Sequence, residues 1–364
     1  MPQRSLDSGS NLTSSTAEVI SAAAGFAGLA GEWDALVAAM PRPSPFLGWT
    51  WLHTWWEHFG GGSELRLVTL RDAAGLLLGV APLHLVSRRA AGVPVRSLEM
   101  LGYRGSAVCA DHLDFLLRGP EPAGAARVLL RAVLALPGWD ALILADLAEH
   151  SPLRAIFAEL AAAFAPRSEA AEICYFRSLP PTRAEFEAEL RRQHKKLAND
   201  LRYNRKRLQQ RPGTRFVPAP TGPAEVSAVL ADLARLHGLA RGRQGESGNF
   251  CLPAYRAFHE ALAPRLAAED RLYLARLESG HQTVAVLYGF VEAGVFYYYQ
   301  SGFDTALSSL GLGKLMLGEV MEDAAERLGL HEFDFLRGGE EYKSRWSSGA
   351  RHTWHLYAWR GTLA

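Results

Sequence analysis

The feature that most constrains the fold is the stretch from residue 294 to residue 346. Residues 295–300 read Val-Phe-Tyr-Tyr-Tyr-Gln, a β-branched and aromatic run that is typical of a strand. The Gly311-Leu-Gly313 turn follows, and residues 314–329 then repeat apolar side chains at helical spacing up to a terminal glycine. Residues 332–336 predict another strand. An order of strand, glycine turn, helix and strand is typical of an α/β fold.

The glycine turn has two interpretations. A helix N-terminus offers unpaired N–H groups and the positive end of the helix dipole, so a turn in front of it suits a phosphate group. Glycines before a helix also occur in plain turns. The Gly-Lys-Ser/Thr ending of a P-loop is absent, and the acidic residue of a Rossmann dinucleotide site is not evident at its usual distance. We therefore expect neither of those two nucleotide-binding classes.

The predicted elements of this stretch have an earlier counterpart in the chain. The first copy is predicted to contain strands at 66–70, 76–85 and 111–117, a helix at 125–136 and a strand at 140–144. The second copy has the same order from residue 271 to residue 336. Aligning residue 66 with residue 271 also matches Gly75 with Gly280 without a gap. A tandem repeat of one α/β unit is therefore predicted.

This repeat sets the predicted domain boundaries. Residues 1–16 are polar and Ser-rich, and we expect them to be disordered. The first unit is predicted at 17–178 and the second at 179–364, which opens with the linker Leu179-Pro-Pro-Thr182. Only the second unit carries the glycine turn. We therefore predict that the first unit is a degenerate, non-catalytic copy.

Compartment and metal content are also predicted from composition. No stretch has the length of a membrane span or the pattern of a secretory signal. The three cysteines are scattered, without metal-like spacing, as is typical of reduced thiols. We expect a cytoplasmic protein without a transmembrane segment and without a metal site.

A family resemblance rests on three segments: Tyr297–Asp304, Ser308–Gly313 and Phe333–Trp346. These resemble the CelD-type acyltransferases of the GNAT superfamily, which are associated with cellulose or exopolysaccharide biosynthesis. The similarity extends to residues 46–59 and to the basic run at 191–211. It implies an α/β tandem GNAT-like acyltransferase fold, with two mixed-sheet units and flanking helices. It also implies that acetyl-CoA or another acyl-CoA is the co-substrate.

The resemblance further implies where acyl-CoA binds. The segment that opens at Ser308 resembles the GNAT pyrophosphate loop, and Ser308 stands where that loop usually has Gln or Arg. The residues implied for acyl-CoA binding are Ser308, Ser309, Leu310, Gly311, Leu312, Gly313 and Lys314.

Acyl transfer needs a neutral nucleophile, donors for the oxyanion and stabilisation of the departing thiolate. A break in the strand at Gln300-Ser301-Gly302 would expose backbone N–H groups for the oxyanion. Asp334 can act as a base if an apolar wall raises its pKa, or it can be a structural partner of Arg337 or Lys343. Tyr298 can donate to the thiolate or pack in the core. The predicted catalytic residues are Asp334, Tyr298, Gln300, Arg337 and Lys343.

A basic helix is predicted before the second copy. Thr182 stands three residues before Glu185, a spacing that indicates a capping box at a helix start. The helix is predicted to continue through residues 190–208, where leucines fall on one face and basic residues coat the rest. That basic surface is either a solvated face or a docking surface for an anion. The anions we consider are the phosphates of CoA, a nucleotide-linked sugar, a membrane surface and tRNA.

Three functions are compatible with these observations. The first is acyl transfer to an amine or hydroxyl of a small molecule, a sugar or a cell-envelope precursor. The second is a Fem-like, aminoacyl-tRNA-dependent transferase, since Fem-like proteins also pair two GNAT-like units and carry a basic helical segment. The third is a non-catalytic partner of polysaccharide-synthesis machinery. The formal net charge is +1, so we expect no nucleic-acid partner outside the tRNA hypothesis.

Overall fold

The computed structural model describes residues 14–361, except 91, 104–107, 109, 121, 219–221 and 243–247. Most of the predicted disordered leader lies outside the described residues. The chain divides into two compact units, one formed by residues 1–171 with 352–364 and the other by residues 172–351. In the described part of the chain, no helix is both long enough and apolar enough to cross a membrane.

Among the described residues, 16–164 form six strands and five helices in chain order. The strands are β1 (Thr16–Ile20), β2 (Ser63–Arg71), β3 (Leu77–Ala90), β4 (Val93–Met100), β5 (Leu116–Leu117) and β6 (Ala141–Leu147). The helices are α1 (Ala23–Gly28), α2 (Ala30–Ala38), α3 (Trp49–Phe59), α4 (Ala123–Ala135) and α5 (Leu153–Leu160). Short 3₁₀ turns lie at Pro45–Leu47 and Ala162–Phe164.

The rest of the chain adds seven strands and six helices. The strands are β7 (Arg167–Ser178), β8 (Arg215–Val217), β9 (Leu272–Ser279), β10 (Gln282–Glu292), β11 (Val295–Phe303), β12 (Glu332–Arg337) and β13 (Gly349–Trp359). The helices are α6 (Arg183–Gln193), α7 (Lys195–Gln209), α8 (Pro223–Gly242), α9 (Pro253–Ala268), α10 (Leu312–Glu326) and α11 (Glu341–Trp346). Two 3₁₀ segments lie at Asn249–Cys251 and Thr305–Leu310.

The two units have the same sheet topology. The first has the order β1-β2-β3-β4-β6-β13 and the second β8-β9-β10-β11-β12-β7. In each, the first four strands are antiparallel, the fifth is parallel to the fourth, and the sixth is antiparallel to the fifth. The predicted α/β fold with two mixed-sheet units and flanking helices is thereby confirmed.

The sixth strand explains a difference from the predicted domain boundaries. We expected the second unit to span 179–364, whereas the compact unit spans 172–351. The reason is that β13, at the end of the chain, pairs with β6 of the first unit. The end of β7, residues 174–178, instead pairs with β12 of the second unit.

The predicted strand at 111–117 is wrong. The fourth strand of the first unit is β4. Within 111–117 the short β5 pairs with β3, and Leu113 forms an isolated bridge with Leu147. The error arose because Leu113 and Phe115 form a fully buried loop that has the hydrophobicity of a strand. The true strand contains Pro94 and Arg96 and is partly exposed, so its pattern is weak.

In the second unit, α6, α7 and α10 pack on one face of the sheet. The apolar stripe of α10 is buried against Phe296 of β11 and Phe333 of β12, together with Leu197 and Leu201 of α7. The opposite face is covered by α8 and α9. The core of this unit therefore fixes α10 and the glycine turn before it on the sheet.

The predicted capping box is confirmed, but the predicted continuous helix is wrong. Thr182 Oγ1 accepts a hydrogen bond of 3.2 Å from the Glu185 N–H. At His194 the backbone leaves the helical region (φ −140°, ψ 67°) and separates α6 from α7. This break lets Leu190 of α6 and Leu197 of α7 both reach the core.

Candidate functional site

The candidate site lies where β11 and β12 separate. Their parallel pairing ends at Tyr297 and Asp334. Among the described residues, no ladder joins the rest of β11, residues 298–303, to β12. The edge of β11 that faces away from β10 is thus not covered by β12 over this stretch.

A bulge in β11 accompanies this separation. Tyr298 pairs with Gly289 and Gln300 with Tyr288, so Tyr299 is one extra residue in the register of β11 against β10. The Tyr299 ring packs 5.2 Å from the ring of His259 on α9, centroid to centroid. The break that we predicted at Gln300-Ser301-Gly302 is therefore centred on Tyr299, one position earlier.

The glycine turn forms the N-terminus of α10. Gly311 is in the left-handed region (φ 62°, ψ 42°) and is the N-cap residue. The Leu315 N–H makes the first helical bond, to the Gly311 carbonyl at 3.1 Å. The amides of residues 312–314 precede that bond and point out of the helix end. A 15-residue helix also presents a positive dipole end at this point.

Helix α7 lies against this turn. A Cβ added to Gly311 would clash with Asn204 Nδ2. Arg207 Nη1 donates to the Ser309 carbonyl at 2.8 Å. Lys314 Nζ pairs with Asp200 at 2.8 Å. Glycine is therefore required at 311 both for its backbone conformation and for the close approach of α7.

A small cavity lies beside the first turn of α10. Its lining comprises Ala285, Val286, Leu287, Tyr298, Ser301, Gly302, Phe303, Gly313, Met316 and Leu317. Tyr298 and Ser301 provide the side-chain hydroxyl groups of this lining, and their oxygens lie 2.6 Å apart. The cavity thus joins the bulged strand to the helix N-terminus.

Tyr298 is suited to donate a hydrogen bond inside the cavity. Its ring packs against Phe335 at 6.3 Å on the α10 face of the sheet. Burial raises the pKa of the Tyr298 phenol, an effect that hydrogen bonds with Ser301 and Tyr342 partly oppose. The phenol therefore stays protonated at neutral pH and remains a donor.

Asp334 lies on the other face of β12 from Phe333 and Phe335, as the alternation of the strand predicted. It is 1% exposed. Its Oδ1 accepts from the Leu336 N–H at 2.7 Å, and its Oδ2 lies 3.5 Å from Arg351. The carboxylate thus stabilises the end of β12, where Leu336 has a positive φ of 56°. A role as base stays a prediction.

Three other predicted catalytic residues hold local backbone. Lys343 is buried; its Nζ donates to the Arg337 carbonyl and lies 3.0 Å from Glu340. Gln300 Oε1 accepts from the Ser301 N–H at 3.1 Å. In the ladder, Arg337 is paired with Cys174 of β7. Of the five predicted catalytic residues, the cavity lining includes Tyr298 only.

The predicted loop residues divide by burial. Ser308, Ser309 and Lys314 are exposed, and Gly311 and Gly313 are half-buried. Leu310 and Leu312 are buried in the core, so only their backbone is available to a ligand. Each of these seven residues lies in the turn or in the first helical positions of α10.

Sequence reasoning missed two residues that touch the loop, Asn204 and Arg207. Both lie in the basic run, but their position against the loop depends on how α7 packs on α10. Asn204 is uncharged, so a search for basic residues could not identify it. Among the described residues, no group of three or more His, Cys, Asp or Glu side chains is arranged to hold a metal ion.

With this geometry in place, the comparisons define the class of the second unit. Residues 195–344 match the model of the acetyltransferase (GNAT) domain. The chain therefore carries a GNAT-type acetyltransferase domain, as predicted, and the implied co-substrate is acyl-CoA. No curated protein matches the chain.

Several solved structures share the fold over nearly the whole chain. The chain is similar to FemX, with 11% identity over 90% of this chain and 95% of that one and a TM-score of 0.63. The chain is also similar to the C-terminal domain of a putative lysylphosphatidylglycerol synthetase from Agrobacterium fabrum, with 10% identity and a TM-score of 0.55. That match covers 92% of this chain and 92% of the other. A third similar structure is L-PGS from Bacillus licheniformis, with 15% identity and a TM-score of 0.52. That match covers 86% of this chain and 92% of the other.

Proposed function

We propose that the protein transfers an acyl group, most simply acetyl, from acyl-CoA to an amine or hydroxyl acceptor. One observation carries this proposal: the N-terminus of α10 lies beside a cavity that the bulged strand β11 also lines. The amides of residues 312–314 suit the pyrophosphate of CoA. The edge of β11 that β12 leaves uncovered suits the amide-containing pantetheine arm. Tyr298 and Ser301 contribute hydroxyl groups to the cavity beside that edge, which supports assigning them as donors to the thioester.

The chemistry requires few groups from the protein. A neutral amine or hydroxyl attacks the thioester carbonyl, and the bond from the acyl carbon to sulfur breaks. The proton that the acceptor loses balances the proton that the departing thiolate takes up, so the products are the acylated acceptor and free CoA thiol. The Tyr298 hydroxyl is placed to donate a hydrogen bond to the departing thiolate. Backbone N–H groups at the Tyr299 bulge are candidates for stabilising the oxyanion. The buried ion pair with Arg351 favours a positioning role for Asp334 over a role as base.

Calorimetric titration with acetyl-CoA tests the donor, with two alanine variants compared. Gly311→Ala places a methyl group against Asn204 at φ 62°. The matched control, Gly329→Ala, lies beyond the other end of the same helix at φ 65°, with nothing within 4 Å. We expect Gly311→Ala to weaken binding at least about tenfold and Gly329→Ala to leave it unchanged.

A failure of the unmodified protein to bind acetyl-CoA would contradict the proposal. If the protein then co-purified with polysaccharide-synthesis components, the result would favour the third hypothesis, a non-catalytic partner.

The resemblance to CelD-type acyltransferases supports a finer proposal for the acceptor, a sugar or a cell-envelope or exopolysaccharide precursor. An acceptor screen with radiolabelled acetyl-CoA would test it. Hydroxylamine treatment of the product separates the two chemistries, because it cleaves an ester and leaves an amide intact. A product that forms only on free amino acids or peptides would contradict the sugar acceptor.

One observation favours a second candidate, the aminoacyl-tRNA-dependent transferase. Lys195, Lys196 and Arg202 on α7 are exposed and have no ion-pair partner among the described residues. A group of unpaired cations on a helix can bind a nucleic-acid backbone. This candidate predicts that aminoacyl-tRNA, and not acetyl-CoA, supplies the transferred group. A single-turnover assay with charged tRNA distinguishes the two.

A further inference from the structure

The strongest further feature is the outer edge of α7 beside the glycine turn. Residues 200, 204 and 207 lie on one stripe of α7, and each contacts the turn or the first turn of α10. Helical spacing places 203 and 206 on the adjoining outer stripe. The exposed side chains at those two positions therefore border the proposed pyrophosphate site.

The cations of α7 fall into two sets. Arg205 points inward, where its guanidinium pairs with Glu319 at 2.7 Å and with Glu322 at 2.9 Å. Lys206 on α7 and Arg211, which lies two residues beyond the end of α7, are exposed and have no ion-pair partner among the described residues. The inward cation, Arg205, stabilises the packing of α7 on α10. The exposed cations are available to an anion.

An exposed aromatic ring, Tyr203, lies on the same outer stripe of α7 as Lys206. Tyr203 is 62% exposed, more than any other large apolar side chain described as exposed. The Arg207 guanidinium lies 5.6 Å from the Tyr203 ring centroid. An exposed ring beside a guanidinium is a suitable platform for stacking a nucleobase.

We propose that Tyr203, Lys206, Arg207 and Arg211 form a subsite for the 3′-phosphoadenosine end of CoA. The inference rests on the proposed function. Coenzyme A carries a pyrophosphate and, separately, a 3′-phosphate monoester on the ribose next to adenine. Neutral backbone amides suffice for the pyrophosphate at a helix end, whereas a dianionic monoester favours cationic side chains. The subsite offers those cations and a ring for adenine within one helical edge of the turn.

The adjacency to the turn favours this ligand over a nucleic acid. Binding a nucleic-acid backbone depends on neutralising several phosphates along a track, which this edge, with one aromatic ring and three cations, does not provide. Arg207 also donates to the Ser309 carbonyl at 2.8 Å, so its guanidinium is held beside the proposed pyrophosphate site.

The test compares CoA with 3′-dephospho-CoA by calorimetry. We expect the unmodified protein to bind CoA about tenfold more tightly, the size of one exposed charge-assisted contact. The double variant Lys206→Gln/Arg211→Gln should bring the affinity for CoA down to that for 3′-dephospho-CoA and leave the latter unchanged. Tyr203→Ala should weaken both ligands about tenfold, and Tyr203→Phe should restore both. Arg191→Gln/Arg192→Gln on exposed positions of α6 is the matched control.

The outcomes separate the subsite from the proposed function. Equal affinities of the unmodified protein for the two ligands would overturn the subsite and leave acyl-CoA as donor. An equal loss of both ligands in the Lys206→Gln/Arg211→Gln variant would also overturn it, because the cations would then not read the 3′-phosphate. Binding of neither ligand to the unmodified protein would overturn both the subsite and the donor.

Discussion

The two units share one topology but differ in what occupies the open edge of their fifth strand. In the first unit, Leu113 forms an isolated parallel bridge with Leu147 of β6. Its N–H donates to the Asp146 carbonyl at 2.9 Å, and its carbonyl accepts from the Ala148 N–H at 2.9 Å. The chain itself therefore fills that edge. In the second unit, no strand pairing of β12 with β11 is described beyond Asp334.

The end of the fifth strand shows that these edges are equivalent. In the first unit, the register of β6 with β13 shifts between Leu144 and Leu147, and Asp146 has a φ of 53°. In the second, the register of β12 with β7 shifts between Asp334 and Arg337. Leu336, at the corresponding position, has a φ of 56°. The same backbone irregularity thus occurs at the same place in both copies.

The helices that precede the fifth strand of each sheet differ as well. Helix α10 follows a turn with two glycines, whereas α4 follows Pro120-Glu-Pro122. The filled edge supports our proposal that the first unit is a non-catalytic copy.

The largest expected effect comes from removing most of β13, the strand at the end of the chain that completes the sheet of the first unit. Deletion of residues 352–364 takes from β6 its antiparallel partner and exposes apolar surface that Leu356 and Ala358 bury, both at 0%. It also removes Arg360, whose guanidinium lies 4.0 Å from the Trp139 ring centroid. We expect the first unit to lose about 5 kcal/mol of stability. Hydrogen exchange should show lost protection in β6 and retained protection in α10. Retained protection in β6 would mean that the exchange of strands is not essential.

The sequence predicted much of the second unit, because local pattern and burial agree there. The aromatic strand β11, the stripe of α10 and the capping box at Thr182 each obey a short-range rule. The exchange of β7 and β13 was not predicted, since strand pairing across the chain leaves no local pattern. The loop around Leu113 was mistaken for a strand because its buried apolar side chains have the hydrophobicity of a strand.

Site residues were predictable to the extent that they lie in one continuous segment. The turn with Gly311 was found from glycine spacing, and Tyr298 from its place on β11. Asp334 and Lys343 were selected by charge, yet both hold nearby backbone in the structure. The contact of Asn204 with the turn could not be predicted, because it depends on packing between two helices.

The next largest effect concerns the loop that fills the first unit. Asp114 accepts hydrogen bonds of 2.8 Å from the Ser151 hydroxyl and from the Phe115 N–H. Burial raises the pKa of Asp114 from 3.8 to about 7. As pH rises from 4 to 7, the unfolded chain releases this proton first, so the folded state loses stability relative to it.

Asp114→Asn removes this dependence and keeps the acceptor oxygen. We expect the variant to gain about 3 kcal/mol over the unmodified protein between pH 4 and pH 8, measured by urea unfolding. Ser151→Ala serves as a control, since it removes a donor and leaves the titrating carboxyl group. A constant difference across this pH range would show that Asp114 is ionised throughout.

A smaller effect tests the difference in ligand binding directly. Gly313 and Gly124 are the second residues of α10 and α4. Gly313→Leu should fill the cavity and weaken acetyl-CoA binding at least about tenfold, or about 1.4 kcal/mol. Gly124→Leu, the matched change in the first unit, should leave binding unchanged. Gly313→Ala should bind nearly normally, since its Cβ lies 3.6 Å from Phe303. Equal losses at Gly313 and Gly124 would show that the first unit also binds acyl-CoA.

The smallest effect asks what fixes the turn before α10. Gly311→Ala has two costs, the left-handed backbone and the clash with Asn204, whereas Gly329→Ala has only the first. Adding Asn204→Ala to Gly311→Ala removes the clash. The double variant should then lose about 1 kcal/mol by urea unfolding, like Gly329→Ala, since the strain of one left-handed alanine is all that remains. If the double variant is no more stable than Gly311→Ala alone, α7 does not set the position of the turn. The open turn of the second unit would then be a property of its glycines only, and α7 would contribute charge but no support.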